Sequence, residues 1–175
     1  MTGTAESIVS MSEAQAYVRI ETGEEEAVLA GLIRTASGLC EAFLNQVVVA
    51  RDFDIDVPAS GAWERLPIAP VRSITGVTSI DLNDVATPLS SGTYAMDIDF
   101  AGDGWLRLEQ LTEDSRLRVS GRAGMADSEN GVPEPIRQGV LRLVAHLFTV
   151  RDGDGGEPPA AVTALWRPYR RMRIS

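Results

Sequence analysis

The sequence contains no lysine: all 16 basic residues are arginine, set against 25 acidic ones. Biased genomic composition accounts for the missing lysine more simply than function does, although arginine also suits interfacial ion pairs better than lysine. The resulting charge of -9 and pI near 4.6 argue against general nucleic-acid binding, which needs a basic face to neutralise phosphates, and leave DNA contact by the Arg-rich end as the lesser option. One cysteine, Cys40, excludes an intrachain disulfide and any multi-cysteine metal site, and favours a cytosolic origin. One histidine, His146, excludes a histidine-based metal cluster. The first fifteen residues lack the basic and apolar regions of a signal peptide. No stretch reads as the roughly 18 apolar residues of a membrane span, so the expectation is a soluble chain with no membrane role. Phosphate-binding loops, the G-x-S-x-G elbow and the dinucleotide fingerprint are also missing, and Gly121 with Gly124 is too little to stand for one.

What is present suffices for one domain with an insertion: 175 residues, 44% of them hydrophobic. Ser10 with Glu13 forms a capping box ahead of a short helix whose Met11, Ala14 and Val18 should face inward. Thr22 with Glu25 repeats the device, with Glu24, Glu25 and Glu26 placed where the helix dipole favours negative charge. The helix that follows, to about Leu44, carries Val28, Leu29, Leu32, Ile33, Ala36, Leu39, Cys40, Phe43 and Leu44 at three- and four-residue steps, predicting one broad buried stripe.

The period then drops to two. Phe53, Ile55 and Val57 alternate with Asp52, Asp54 and Asp56, as in a half-buried strand. A β-branched run through Ile74, Val77 and Ile80 follows a proline-bounded entry. Met96, Ile98 and Phe100 alternate with Asp97 and Asp99 before a turn at Gly102, Asp103 and Gly104, which reads as a hairpin. A helix over about 135–151 presents Ile136, Val140, Leu143, Val144, Leu147 and Phe148 to the long second helix. The expected class is α+β: a small helical bundle with an inserted antiparallel β-sheet domain and an extended basic C-terminal tail. The expected boundaries are 1–45 for the N-terminal helices, 46–131 for the insertion, 132–160 for the last bundle helix and its loop, and 161–175 for a short helix and the tail.

Candidate chemistry is sparse. Asp152 and Asp154 have the first spacings of a calcium loop, but Gly156, Glu157 and Thr163 occupy the positions of the next ligand, the turn glycine and the bidentate glutamate. The aspartates at 52, 54 and 56 read as the wet face of a strand rather than as cation ligands. His146, among Leu143, Val144, Leu147 and Phe148, reads as a packing residue, and Cys40 as a small core residue. No catalytic residue, cofactor or metal is expected, and the chain is not expected to be an enzyme. The tail differs: residues 161–175 hold four arginines and no acid. Trp166, Arg167, Tyr169, Arg170, Arg171, Met172 and Arg173 gather the residue types enriched at protein–protein hot spots.

The order of these pieces resembles the phage head-tail connector, or adaptor, family of tailed phages and gene transfer agents. The opening "SMSEAQAYVRI", the helix "TGEEEAVLAGLIRTASGLCEAFLNQ", the segment "LPIAPVRSITGV" and the helix "VPEPIRQGVLRLVAHLFTVRD" carry the likeness over residues 10–173. It is closer to the longer members with a β insertion. The resemblance implies a structural subunit of the virion neck, made in the host cytoplasm, forming a dodecameric ring that docks on the portal and links capsid to tail. Its partners would be the portal, a stopper or other tail-side neck protein, and further copies of itself. DNA would pass through the channel without sequence-specific binding. Portal docking would fall to Trp166, Arg167, Tyr169, Arg170, Arg171 and Arg173. Another neck protein, or a small hydrolase, stays open as an alternative.

Overall fold

A computed structural model describes residues 7–19, 25–110, 116–150 and 158–172. The elements run α1 (Met11–Val18), α2 (Glu26–Leu44), β1 (Arg51–Pro58), β2 (Glu64–Arg65), β3 (Val71–Ile80), β4 (Ala86–Pro88), β5 (Tyr94–Ile98), β6 (Gly104–Leu108), β7 (Arg116–Ala123), α3 (Glu134–Thr149) and α4 (Ala160–Trp166). The chain divides into a helical unit of residues 5–49 and 126–175 and a sheet unit built on residues 50–125. Helices flanking an inserted antiparallel sheet give the α+β class expected from the residue pattern. Val47, Val48 and Val49, just ahead of β1, are buried and belong to the helical unit.

In the helical unit the capping box forms as its residues require. The Ser10 backbone N–H donates to the Glu13 carboxylate (3.0 Å) and the Glu13 N–H donates to Ser10 Oγ (3.2 Å), satisfying two otherwise orphaned donors. Glu13 also pairs with Arg137, which ties α1 to α3. The Thr22 half of the second box lies outside the described residues; Glu25 is the N-cap of α2 and its side chain makes no capping bond. α2 buries Leu29, Ile33, Ala36, Ser37, Cys40 and Leu44 against the other helices. Its stripe is narrower than expected, for Val28 and Leu39 are 45% and 40% exposed. By length and composition α2 could span a membrane, contrary to the reading that no stretch is long enough. Its packing against α1, α3 and α4 accounts for the six buried positions of that helix as core. α3 begins with Pro135 in its first turn and buries Ile136, Gly139, Val140, Leu141, Leu143 and Val144.

The sheet unit holds two antiparallel sheets, one ordered β1-β7-β3-β4 and one β2-β6-β5. Alternation puts Phe53, Ile55 and Val57 of β1 and Leu117 and Val119 of β7 into the core, where Val71, Val77, Leu66, Leu106 and Leu108 join them. A Cβ on Gly104 would stand 2.8 Å from Leu66 Cδ1 and 3.0 Å from Val71 Cγ2, so the strand bearing Leu106 and Leu108 approaches β3 closely at a glycine.

Candidate interaction surfaces

Residues 160–171 follow from the demands of one side chain. Val162 and Trp166 lie four apart on α4, hence on one face, and both are buried. The Trp166 indole is fully buried: its N–H donates to the Ile136 carbonyl at 3.2 Å, and its ring lies 5.8 Å from that of Phe43. Space for it exists because residue 139 is glycine; a Cβ there would stand 2.8 Å from Trp166 Cδ1 and nearer still to its Nε1. Beyond Trp166 a single 3-10 turn, Arg167–Tyr169, bends the chain toward the end of α2. There Asn45 adopts a left-handed conformation (φ 56°) and closes the helix, and the Leu44 carbonyl accepts from the returning chain. Gln46 Nε2 donates to the Tyr169 carbonyl (2.6 Å), the Arg171 N–H donates to the Leu44 carbonyl (3.0 Å), and the Arg170 guanidinium lies 5.3 Å from the centre of the Phe43 ring. Ala42, Asn45, Arg170, Arg171 and Met172 line an open groove at this end of the unit.

Beyond the expected short helix Arg170 is extended, and the main chain at Tyr169 and Arg171 is hydrogen-bonded to the end of α2. One expectation is corrected by this arrangement. Trp166 is not available as a docking anchor, because it fills the core beside Gly139. Arg167 and Arg170 remain exposed and Tyr169 and Arg171 half-buried, while Arg173 lies outside the described residues.

The aspartate strand is the wet face it was read as, with a specific pairing. Antiparallel register sets Asp52 opposite Arg122, Asp54 opposite Ser120 and Asp56 opposite Arg118. Arg122 reaches Asp52 at 3.0 Å, Ser120 Oγ donates to Asp54 at 2.5 Å, and Arg118 grips Asp56 with two bonds of 2.8 and 3.0 Å. The hydrogen bond from Arg118, then the positive charges of Arg118 and Arg116, hold the Asp56 carboxyl below the usual carboxylate range despite slight burial. Among the described residues no cluster of three metal-ligating side chains occurs. The Asp152 and Asp154 segment lies outside them.

His146 departs from its expected packing role, since it sits on the exposed side of α3. Cys40 is fully buried, and burial followed by the nearby Glu41 charge pushes its thiol far above the usual range, which leaves a poor nucleophile. A second surface went unread from the sequence. The hairpin of β5 and β6 exposes Met96 (51%), Ile98 (36%) and, at its tip, the whole of Phe100.

No family model and no curated protein matches the sequence. Solved structures do match. A chain in the neck of an empty gene transfer agent particle, computed with C6 symmetry, is 25% identical with a TM-score of 0.79, over 100% of this chain and 95% of that one. The fold is that of a gene transfer agent neck protein. A chain of the virion of a native gene transfer agent particle matches in fold at a TM-score of 0.74 and 24% identity, covering 96% of this chain and 92% of that one. So does a chain in the neck of the native particle computed with C12 symmetry, at 0.73 and 24%, covering 100% and 97%. The match takes in both units, helical and sheet.

Proposed function

We propose that this chain is a structural subunit of the neck of a phage-like particle, an adaptor that forms a ring with its own copies, docks on the portal and joins capsid to tail. The observation that carries the reading is the likeness, along the full chain, to a protein of a gene transfer agent neck. The C6 and C12 symmetries of the matched necks support a ring. Docking on the portal falls to Arg167, Tyr169, Arg170, Arg171 and Arg173, a cationic cluster on a chain of charge -9. The hydrogen bonds that hold residues 169 and 171 to the end of α2 would present the Arg170 and Arg171 guanidinium groups from a fixed base, lowering the ordering cost of binding. The acidic remainder would let DNA slide past without being gripped. Nothing in the described residues favours the hydrolase alternative; His146, the one histidine a Ser-His-Asp triad could use, is exposed on α3.

The test is truncation after Trp166, which spares the core indole. The shortened protein is expected to fold with helical content close to that of the full chain, and particles made with it should be filled heads without tails. Normal tail attachment by the truncated form would place docking elsewhere on the molecule.

A further inference from the structure

The arginines of this chain differ in what engages them. Arg65, Arg107, Arg118, Arg122 and Arg137 each reach an acid of their own subunit, respectively Asp103, Glu109, Asp56, Asp52 and Glu13, and Arg116 reaches both Asp56 and Asp84. Arg167 and Arg170 are exposed and make no ion pair with any described residue. An aromatic ring places Arg170 instead: its guanidinium lies 5.3 Å from the centre of Phe43, a contact that engages the charge and leaves the N–H donors to other acceptors. Beside it, Ala42, Asn45, Arg171 and Met172 complete the lining of an open groove, in which two guanidinium groups and one carboxamide stand among aliphatic atoms and no carboxylate takes part.

Two features at this end oppose an anion, and neither prevails. The C-terminus of α2 carries roughly half a negative charge, less than the guanidinium groups of Arg170 and Arg171 supply. Its last-turn carbonyls at Glu41 and Leu44 also already accept from the N–H groups of Asn45, Gln46 and Arg171. The Glu41 carboxylate, the nearest acid in sequence, accepts from the Val48 N–H (2.9 Å) and is not part of the lining.

Such a groove suits a small anionic acceptor. Guanidinium groups match a carboxylate with paired N–H donors, and Ala42 and Met172 offer apolar contact to the stem that carries it. DNA phosphates would meet the same donors, but a duplex brings a dense line of negative charge to a chain of charge -9, and gripping it requires several phosphates to be neutralised at once. A second copy is a poorer source of acid. Its β1 aspartates Asp52 and Asp56 are already held by Arg122 and Arg118, and copies of equal negative charge repel.

We propose that the groove at the end of α2 receives a carboxylate side chain from an acidic segment of the portal, with Arg170 and Arg171 donating to it. The inference rests on the reading of the C-terminal segment as the portal-docking surface and adds the chemistry of what that surface meets.

The chain has no lysine, so Arg170→Lys keeps the charge and installs a single side-chain amine. Particles assembled with this variant are treated with a water-soluble carbodiimide, which joins an amine to a carboxylate only where the two touch. The expected product is an amide between position 170 and an aspartate or glutamate of the portal, read by mass spectrometry of the linked peptide. Linkage only to the same chain, to another copy or to a tail-side protein would overturn the proposal, as would no linkage in tailed particles. Internal phosphodiesters of DNA form no such amide, so a DNA contact falls under that last outcome. A second arm compares neutral with reversed charge. Arg170→Glu should lower tailed-particle yield about tenfold or more below Arg170→Gln, because it sets like charges together, while both variants melt close to wild type. Equal yields from the two would show that the occupant is not acidic. Truncation after Trp166 separates the two readings: tails still attached would remove portal docking by this segment and this proposal with it, whereas tails lost with no portal amide would sink this proposal alone.

Discussion

Replacing Trp166 with alanine separates two pictures of the C-terminal segment, one with a free anchor and one with a core residue. The indole is fully buried, lies against the Phe43 ring and donates to the Ile136 carbonyl. Truncating a buried tryptophan to alanine costs about 3–5 kcal/mol in lost transfer energy and residual cavity. For a chain of this size, each kcal/mol shifts the melting temperature by about 2–4 °C, so Trp166→Ala should melt roughly 6–20 °C below wild type by circular dichroism. Gly139→Ala supplies the second corner of a double-mutant cycle. With the indole present, the added methyl meets Trp166 Cδ1 at 2.8 Å and overpacks the site, costing about 1–3 kcal/mol. With the indole removed the clash disappears, and alanine's better helix propensity, worth up to ~1 kcal/mol, turns the same substitution stabilising. Met172→Ala, at an exposed side chain, serves as the control and should change nothing. A Trp166→Ala protein melting within about 2 °C of wild type, with no sign reversal at residue 139, would refute the packing argument.

Other consequences are open to measurement. Ser10→Ala should cost about 1 kcal/mol in chemical denaturation, the usual loss for a helix N-cap, since it removes the acceptor of the Glu13 N–H. The Glu13 carboxyl is held below its usual range by the backbone N–H of Ser10, then by the Ser10 hydroxyl and Arg137, against some burial. That stabilisation is complete above the unfolded value of about 4.3 and is lost as pH falls through the lower folded value, so wild type should lose its margin over Glu13→Gln on acidification below about pH 4.3. A constant margin across that window would show that the capping carboxylate is not linked to folding. The Cys40 thiol should resist iodoacetamide in the native protein and react fully once the chain is unfolded; rapid native labelling would contradict its burial. Asp56→Asn should shift the melting temperature by no more than about 2 °C, because exposed ion pairs are screened by water and salt.

The features legible in the sequence were those written in local periodicity and caps. Ser10 and Glu13 sit three apart and form their box, and the alternation from Asp52 to Val57 becomes a strand with one wet face. The first and last helices of the bundle and the β5 hairpin fall where the patterns place them. What periodicity does not carry is how much of an apolar face finds cover. Val28 and Leu39 continue the α2 stripe yet stay exposed, and Met96 and Ile98 share a face with buried Leu106 but extend beyond it on an edge strand. Trp166 misled for a related reason: the residues favoured in interface hot spots are also those that fill cores. Two signals pointed inward, the four-residue spacing from Val162 and a glycine within the apolar face of α3 at position 139, but the second is meaningful only once those helices are known to touch.

Where the β-rich segment departs and returns, the helical unit is stitched shut: Val49 bridges Ala126, and the Ala126 N–H donates to the Val48 carbonyl at 2.9 Å. Bridged strand residues sit only about 5 Å apart, a gap that a tight turn can span. A segment inserted between residues 49 and 126 therefore meets one geometric condition set by the helical unit, that its two ends come together. What is displayed from that doorway is, by the same geometry, set apart from the frame that holds it.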